Sequence, residues 1–235
     1  SLSGDGGDEL FGGYVTYQAN RYHHFMQYLP MSVKKMLMSC SNYLPTSFNK
    51  LSLDYKIKQF LRGSLLSEEQ AHLSWREIFN RQQKKILFRN EYNALSQSNS
   101  IDTELHWFAD VRDCHALDQA MYVDMKTWLV DDILVKVDRA SMAHSLEVRA
   151  PFLDHRIVEF AASLPVSYKI SGRNGKRILK TSQQKILPSH VLRQPKRGFN
   201  SLIDHWLAND LFAMAHDITT SQQLTQWFNK KTIET

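Results

Sequence analysis

Apolar side chains recur every three or four positions along most of the chain, which is the spacing of an amphipathic helix. Within residues 113–128 this spacing places Leu117, Met121 and Trp128 on one face, so a core helix is predicted there. The segment 132–143 repeats the pattern and is predicted to be a second core helix. The predicted helices cover residues 55–61, 113–128, 132–143, 156–164 and 176–187.

Local signals indicate where several of these helices begin and end. Ser67 and Gln70 have the form of a capping box at the start of a further helix, and Gly63 is a candidate C′ residue. Pro165 and Pro188 each end a predicted helix, because proline cannot continue one. No run of residues has the pattern of a strand, so we expect half or more of the chain to be helical.

The composition is typical of a soluble globular protein. Hydrophobic residues make up 43% and charged residues 23% of the 235 residues, so the chain can bury a sizeable core. No stretch reaches the roughly 18 apolar residues of a membrane helix, and Cys40 and Cys114 are predicted to be reduced thiols. We therefore expect a cytoplasmic protein without a membrane partner. The net charge of +5 is mild and its basic residues are scattered, which argues against a nucleic-acid partner.

The segment 3–14, SGDGGDELFGGY, combines five glycines with three carboxylates. Glycine allows a backbone to approach a ligand closely. Carboxylates repel a bare phosphate unless a divalent cation lies between them, so the segment indicates chemistry on a nucleotide bound with Mg²⁺. The alternative is a tight surface turn whose carboxylates are simply hydrated.

Three segments resemble the signatures of the asparagine synthetase family. Residues 3–14 are similar to its S-G-x-G-x-D-E-[LV]-F-G-G-Y motif, and residues 138–154, DRASMAHSLEVRAPFLD, resemble its second signature. Residues 193–199, RQPKRGF, resemble its basic loop. Three segments in the family's order are far more specific than one glycine-rich run.

The fold implied by this resemblance is a mainly α-helical fragment of an α/β ATP-pyrophosphatase-type (adenine nucleotide alpha hydrolase-like) synthetase domain. Residues 1–235 would be the C-terminal portion of that domain, with the N-terminal glutaminase domain and the pyrophosphate loop absent. A glycine-rich acidic segment of this kind usually follows a buried strand. We therefore expect the chain to be a piece of a longer protein, cut near the end of a sheet strand.

The activity implied by the resemblance is ATP-dependent amide formation. Aspartate and ATP would give an acyl-adenylate and pyrophosphate, and ammonia released from glutamine by a glutaminase domain would convert the adenylate to asparagine and AMP. The cofactors would be ATP and Mg²⁺. This sequence lacks the family's N-terminal cysteine nucleophile and its S-G-G-x-D-S pyrophosphate loop, so the fragment alone is predicted to be inactive.

The resemblance assigns roles to the acidic segment residue by residue. Asp8 matches the family's carboxylate ligand for Mg²⁺-pyrophosphate, and Asp5 matches a position that faces the acyl-adenylate. Gly4, Asp5 and Gly6 are the candidate nucleotide-binding residues of the segment.

Two lysines and one aspartate complete the predicted site. Lys196 matches the basic-loop lysine that stabilises the adenylate transition state, and Lys176 resembles a second phosphate-facing lysine at a helix start. The alternative for each is a hydrated surface lysine. Asp132 is preferred over Asp131 as the carboxylate near the incoming amine, although either aspartate could instead be an N-cap.

Other interpretations of the chain stay open at this point. The enzyme could amidate another carboxylate, such as a sugar acid or a peptide-like precursor. The chain could also be a basic helical nucleic-acid-binding module, or a remnant that has lost catalysis. Charges at Glu147, Arg149 and Asp154 are expected to form a structural ion-pair network, and exposed apolar faces are expected to produce a homo-oligomer.

Overall fold

The computed structural model describes residues 1–45, 53–97, 100–172, 174–194 and 203–233, and most of them are helical. A π-helix, Trp128–Leu134, and two 3₁₀ helices, Asn90–Tyr92 and Pro151–Leu153, accompany the α-helices. In chain order the α-helices are α1 (Gly7–Phe11), α2 (Val15–Met26), α3 (Met31–Ser41), α4 (Leu53–Gly63), α5 (Glu68–Ser74), α6 (Arg81–Leu87), α7 (Asn93–Gln97), α8 (Ser100–Glu104), α9 (His106–Ala109), α10 (Ala116–Lys126), α11 (Val135–Met142), α12 (His155–Ser163), α13 (Val166–Lys169), α14 (Arg177–Ser182), α15 (Ser189–Arg193), α16 (Ile203–Ala208), α17 (Phe212–Thr219), α18 (Gln222–Thr225) and α19 (Lys230–Ile233).

The chain forms two compact units. Unit 1 contains Ser1–Leu29 and Glu104–Lys196, and unit 2 contains Pro30–Thr103 and Arg197–Thr235. The segments 3–14 and 138–154 both lie in unit 1. Each unit is therefore built from parts of the chain that are distant in sequence.

Helix α10 forms the first hydrophobic cluster of unit 1. Leu117, Ala120 and Met121 of α10 pack with Tyr17 of α2 and with Ile170, and all five are buried. The helix begins where the His115 ring accepts a hydrogen bond from the Leu117 amide at 3.1 Å. The core helix predicted over 113–128 is confirmed, with bounds that are shorter at both ends.

A second hydrophobic cluster holds α1 against α12. Leu10 and Phe11 are each 2% exposed and pack on Ala161, while the Phe152 ring meets the Phe11 ring edge-on at 5.9 Å. Full burial of each of these large apolar side chains contributes about 1.5–3 kcal/mol. The Asp154 carboxylate starts α12 by accepting from the Arg156 amide at 3.0 Å. The predicted helix over 156–164 is thus confirmed, and α1 has a firm apolar support.

The predicted core helix over 132–143 is wrong in its form. The chain leaves α10 at Thr127, where φ is −121° and ψ is −79°, and the Thr127 hydroxyl donates to the Val123 carbonyl at 2.8 Å. A π-helix follows, and only then does α11 begin, with no buried residue. Periodicity alone could not indicate this, because a π-turn inserts one residue into a helical pattern without interrupting it.

Strand-like pairing is confined to single bridges among the described residues. Leu2 pairs in parallel with Arg149: the Ser3 amide donates to the Arg149 carbonyl at 2.8 Å, and the Arg149 amide donates to the Ser1 carbonyl at 2.9 Å. The prediction of a mainly helical chain without a run of strands is confirmed for this part of the sequence. The α/β sheet implied by the resemblance stays a prediction.

Unit 2 confirms one predicted cap and corrects other features. Ser67 is the N-cap of α5 and accepts from the Gln70 amide at 3.3 Å. A capping box with both hydrogen bonds lies instead at Asn80 and Gln83, at the start of α6. Gly63 is the last residue of α4 rather than the residue after it, and a Cβ there would collide with the Trp75 indole.

Three further predictions concern the helix over 176–187, the state of the two cysteines and the absence of a membrane-spanning helix. The helix predicted over 176–187 extends only from Arg177 to Ser182 and is followed by turns. Cys40 and Cys114 are free thiols and both are exposed. Within the described part of the chain, none of the helices combines the length and apolar character needed to span a bilayer.

Candidate active site

The structure brings Asp8 and Lys176 together, although they lie far apart in the sequence. The Lys176 Nζ lies 2.9 Å from the Asp8 Oδ1, within the range of a charge-assisted hydrogen bond. The side chains are 30% and 13% exposed, respectively, so the pair lies at the surface of unit 1 with the carboxylate more enclosed than the ammonium. The predicted cation ligand and the predicted phosphate-facing lysine thus form an ion pair.

Two glycines at the end of α1 make room for this pair. Gly12 ends α1 in the left-handed region, with φ of +68°, and the Gly13 amide donates to the Asp8 carbonyl at 2.8 Å. A Cβ on Gly13 would collide with the Asp8 Oδ1 and would lie 2.5 Å from the Lys176 Cε. Because the Asp8 and Lys176 side chains lie directly over Gly13, no other residue fits that position without displacing them.

Backbone contacts hold Lys176 on the end of α1. The Lys176 amide donates to the Phe11 carbonyl at 2.9 Å, and Gly175 packs so closely on the Gly12 carbonyl that a Cβ would collide with it. Lys176 itself has φ of +55°, a conformation that costs a residue with a side chain about 1–3 kcal/mol. It is the N-cap of the short helix α14, so it precedes that helix rather than starting the long one predicted.

Glu9, the residue after Asp8, is a buried acid. It is 2% exposed, and its carboxylate accepts a hydrogen bond from the Tyr14 hydroxyl at 2.6 Å. Burial raises the pKa of Glu9, and the nearby carboxylates of Asp8 and Asp124 raise it further. Burial and the Glu9 contact likewise raise the pKa of Tyr14.

Of the other candidates in the acidic segment, Asp5 and Gly4 are not buried, whereas Gly6 is. Asp5 accepts a hydrogen bond from the Ser3 hydroxyl at 2.8 Å. Gly4 is exposed, and a Cβ there would meet nothing within 4 Å. Gly6 is buried, and a Cβ there would collide with the Leu153 side chain. The packing of the second signature on α1 therefore already requires glycine at position 6.

The remaining predicted residues differ in what the structure says of them. Asp132 lies on the π-helix and its carboxylate is 3.3 Å from the Lys136 Nζ. Asp131 is exposed, and neither aspartate is an N-cap, because Thr127 precedes the π-helix and Leu134 precedes α11. The N-cap alternative is therefore wrong for both. Lys196 lies outside the described residues.

The ion-pair network expected in the second signature is two separate pairs. The Arg149 Nε donates to Glu147 at 2.7 Å, and Arg156 donates to both oxygens of Asp154 at 2.9 and 2.8 Å. These Arg156 contacts hold the pKa of Asp154 well below its ordinary value. Arg149 does not join the two carboxylates, because Arg156, two residues beyond Asp154, is the nearer partner.

The site fits a cation that is shared with a phosphate ligand. Among the described residues, no group of three or more His, Cys, Asp or Glu side chains could hold a metal ion by itself. Mg²⁺ is commonly held by one or two carboxylates together with substrate phosphates, and it keeps several waters. One enclosed carboxylate, Asp8, beside one ammonium, Lys176, matches that mode of binding better than a metal cage built from protein alone.

Comparison with known proteins decides the family. A model of the asparagine synthase family matches residues 1–235, which is the whole chain. The chain belongs to this family. The resemblance to the asparagine synthetase family is therefore confirmed.

The curated relatives are asparagine synthetases that are longer than this chain. A putative glutamine-hydrolysing asparagine synthetase of Mycobacterium tuberculosis is 35% identical over 225 residues, which cover 94% of this chain and 33% of that protein. Asparagine synthetase (glutamine-hydrolysing) 1 of Bacillus subtilis is 31% identical over 230 residues, or 98% of this chain and 35% of that protein. The chain thus spans about a third of the length of these asparagine synthetases. No solved structure matches it.

Proposed function

We propose that this chain supplies the cation-holding and phosphate-facing part of an ATP-dependent amide-forming ligase of the asparagine synthetase type. The substrates would be aspartate, ATP and ammonia derived from glutamine, and the products would be asparagine, AMP and pyrophosphate. The observation that carries the proposal is the contact between Asp8 and Lys176. Membership of the asparagine synthase family and the names of the relatives support it.

The pair has the charges that adenylate formation requires. Asp8 would hold Mg²⁺, which neutralises phosphate charge when it is bound. Lys176 would place its ammonium against the pyrophosphate oxygens, where negative charge develops as the P–O bond breaks. A fixed charge aimed at developing charge is worth several kcal/mol in a site shielded from water. The backbone contacts of Lys176 with Phe11 fix the start of that side chain before any ligand arrives.

Four further residues have proposed roles in the same reaction. Asp5 would face the acyl-adenylate, next to the exposed Gly4, and Gly6 would form the turn between them and α1. Lys196 would stabilise the adenylate transition state. Asp132 would accept a proton from the incoming amine, and its half-exposed carboxylate is accessible for such a step. The free, exposed cysteines are in accord with a cytoplasmic enzyme.

The test is a chimera in which residues 1–235 replace the matching third of Bacillus subtilis asparagine synthetase 1. We expect release of AMP and formation of asparagine from aspartate, ATP and ammonia. Asp8→Asn and Lys176→Met should each lower the rate about a hundredfold or more, the usual size for one electrostatic contact to a transition state.

Lys180→Met is the matched control, because Lys180 lies in α14, one helical turn beyond Lys176. It should retain most of the activity. Equal losses for Lys176→Met and Lys180→Met would contradict a specific role for Lys176. A folded chimera that forms no amide from aspartate, a sugar acid or a peptide-like acid would contradict the proposed reaction.

A further inference from the structure

Unit 1 contains a buried ion pair that the proposed reaction does not use. Lys169 is 2% exposed, and its Nζ donates to the Asp118 Oδ1 at 2.7 Å. The pair joins the last residue of α13 to the first turn of α10. Lysine is almost never fully buried without a partner, because an isolated charge is poorly tolerated away from water. The end of α13 is therefore tied to α10 at a defined distance.

Apolar contacts bring the same end of α13 next to the candidate site. Ile170, the residue after α13, is buried with Leu117 and Met121 of α10. Its side chain also lies against Gly12, where a Cβ would collide with it. Gly12 directly precedes Gly13, the residue beneath the candidate site. The ion pair and the turn after α1 are thus joined by one packed side chain.

Helix α13 also contacts the segment that carries Lys176. The Arg177 Nη1 donates to the Ser167 carbonyl of α13 at 2.9 Å, and Arg177 is the residue that follows Lys176. On the other side, the Lys176 amide donates to the Phe11 carbonyl at 2.9 Å. The backbone around Lys176 is therefore held between α13 and the end of α1.

Both Lys176 and α13 need support from outside. Lys176 has φ of +55°, a conformation that a residue with a side chain keeps only when its surroundings fix it. Helix α13 has four residues, which is too short to be stable without tertiary contacts. The packing of Ile170 holds α13 on α10, but apolar contacts are non-directional. The ion pair adds a contact with a preferred geometry, so it orients the short helix.

We propose that Lys169 and Asp118 are positioning residues: their ion pair orients α13, and α13 in turn holds Lys176 beside Asp8. The pair acts through α13 and need not touch a ligand. The part of this inference that concerns catalysis rests on the proposed function. The part that concerns the position of Lys176 rests on the contacts alone, and the two parts are tested separately.

Amide hydrogen exchange of the 235-residue chain, resolved by residue with NMR, tests the position of Lys176. Lys169→Met removes the ammonium and keeps an unbranched side chain in the buried space. We expect the Lys176 amide, which donates to the Phe11 carbonyl, to exchange about tenfold faster or more, the size expected for loss of one hydrogen bond between charged groups. The Val158 amide, which donates to the Asp154 carbonyl at 3.0 Å in α12, should not change.

A second variant interrupts the same path at an exposed position. Arg177→Met removes the contact with the Ser167 carbonyl and should also accelerate exchange of the Lys176 amide. Lys169→Met should remain folded, because the Asp118 side chain is 27% exposed and can be hydrated once the ammonium is gone. Unfolding of Lys169→Met, unchanged exchange of the Lys176 amide in either variant, or equal acceleration in α12 would overturn the inference.

The chimera described above tests the link to the reaction. Lys169→Met should slow ATP–pyrophosphate exchange about tenfold, because the ammonium of Lys176 is no longer held in place. Arg89→Met is the matched control: it removes the cation of an exposed pair with Glu91 in unit 2 and should leave the rate unchanged. In a chimera that already carries Lys176→Met, Lys169→Met should cause no further loss, because its effect passes through Lys176.

The double variant separates positioning from a general structural effect. Losses that multiply when Lys169→Met is combined with Lys176→Met would overturn the positioning role in the reaction. A parent chimera without ATP–pyrophosphate exchange contradicts the proposed function. The hydrogen-exchange result then still decides whether the ion pair fixes the position of Lys176.

Discussion

Glycine at position 13 decides whether the candidate site can form at all. Asp8 and Lys176 lie over its α-carbon, and even a methyl group there would collide with the Asp8 carboxylate. Gly175, the residue before Lys176, also has to be a glycine, since a Cβ there would collide with the Gly12 carbonyl. The site therefore depends on missing side chains as much as on charged ones.

Gly13→Ala should separate Asp8 from Lys176, because the new methyl group occupies the space of the carboxylate. We expect affinity of the chain for Mg²⁺-pyrophosphate to fall about tenfold or more, the size of a lost charge-assisted contact. Titration calorimetry on the 235-residue chain measures this. Ser163→Thr is the matched control, since it adds one methyl group at an exposed position of α12. An unchanged affinity for Gly13→Ala would contradict the role given to this glycine.

The sequence was enough to identify single candidate residues, but not to predict the contacts that only folding creates between them. Asp8 was predicted from the first family segment and Lys176 from its place at a predicted helix start, but no pattern indicated that they touch or that Lys176 has a positive φ. Glu9 was seen as part of the acidic segment, whereas its contact with Tyr14 needs the Gly12–Gly13 turn.

At the scale of elements, the spacing of apolar residues predicted where helices lie, but not whether a helix is an α-helix or a π-helix. The predicted helix over 113–128 was confirmed because its apolar face packs on Tyr17 and Ile170. The one over 132–143 became a π-helix followed by an α11 without buried residues. Apolar spacing reports which side chains share a face, but it does not report whether anything covers that face.

The start of α12 gives a prediction for pH dependence. Arg156 holds the pKa of Asp154 below its ordinary value of 3.8. The ion pair therefore stabilises the fold fully above pH 3.8, and this stabilisation declines as the pH falls from 3.8 toward the lower pKa of the folded state. Asp154→Asn keeps the acceptor for the Arg156 amide and removes only the charge. We expect its Tm to be lower than that of the parent at pH 7, with a difference that shrinks below pH 3.8.

Thermal unfolding followed by circular dichroism between pH 2 and pH 7 measures this difference. Asp113→Asn, at an exposed aspartate just before α10, is the control for loss of one negative charge. A Tm difference for Asp154→Asn that stays constant across the range would show that the ion pair does not stabilise α12.

At the scale of the whole molecule, many large apolar side chains are exposed. In α17 of unit 2, Phe212, Met214 and Ile218 are 58%, 52% and 54% exposed. In unit 1, Phe25 and Met142 are 62% and 57% exposed. Exposed apolar patches of this kind promote association between copies or with other surfaces.

We expect the 235-residue chain to self-associate at micromolar concentration, because burying these side chains removes apolar surface from water. Sedimentation velocity measures the mass, and the double variant Met214→Ser with Ile218→Ser should shift it toward the monomer. A monomeric parent chain that binds no hydrophobic dye would contradict this expectation.

Residues 1–235 alone should form no amide. They contain neither the S-G-G-x-D-S pyrophosphate loop nor an N-terminal cysteine nucleophile, and they span about a third of the length of the relatives. Incubation with ATP, aspartate and ammonia, followed by an assay for AMP, checks this. Conversion of ATP to AMP above the level of the Asp8→Asn variant would contradict the expectation.

Contact between Asp8 and Lys176 also makes the two proposed ligands interdependent. The ammonium can turn fully toward a phosphate only when something else compensates the carboxylate, and a divalent cation does so. Cation and polyphosphate should therefore enhance each other's affinity by the same factor, as thermodynamic reciprocity requires. With such heterotropic cooperativity, the candidate site would bind either ligand alone weakly and would bind both together much more tightly.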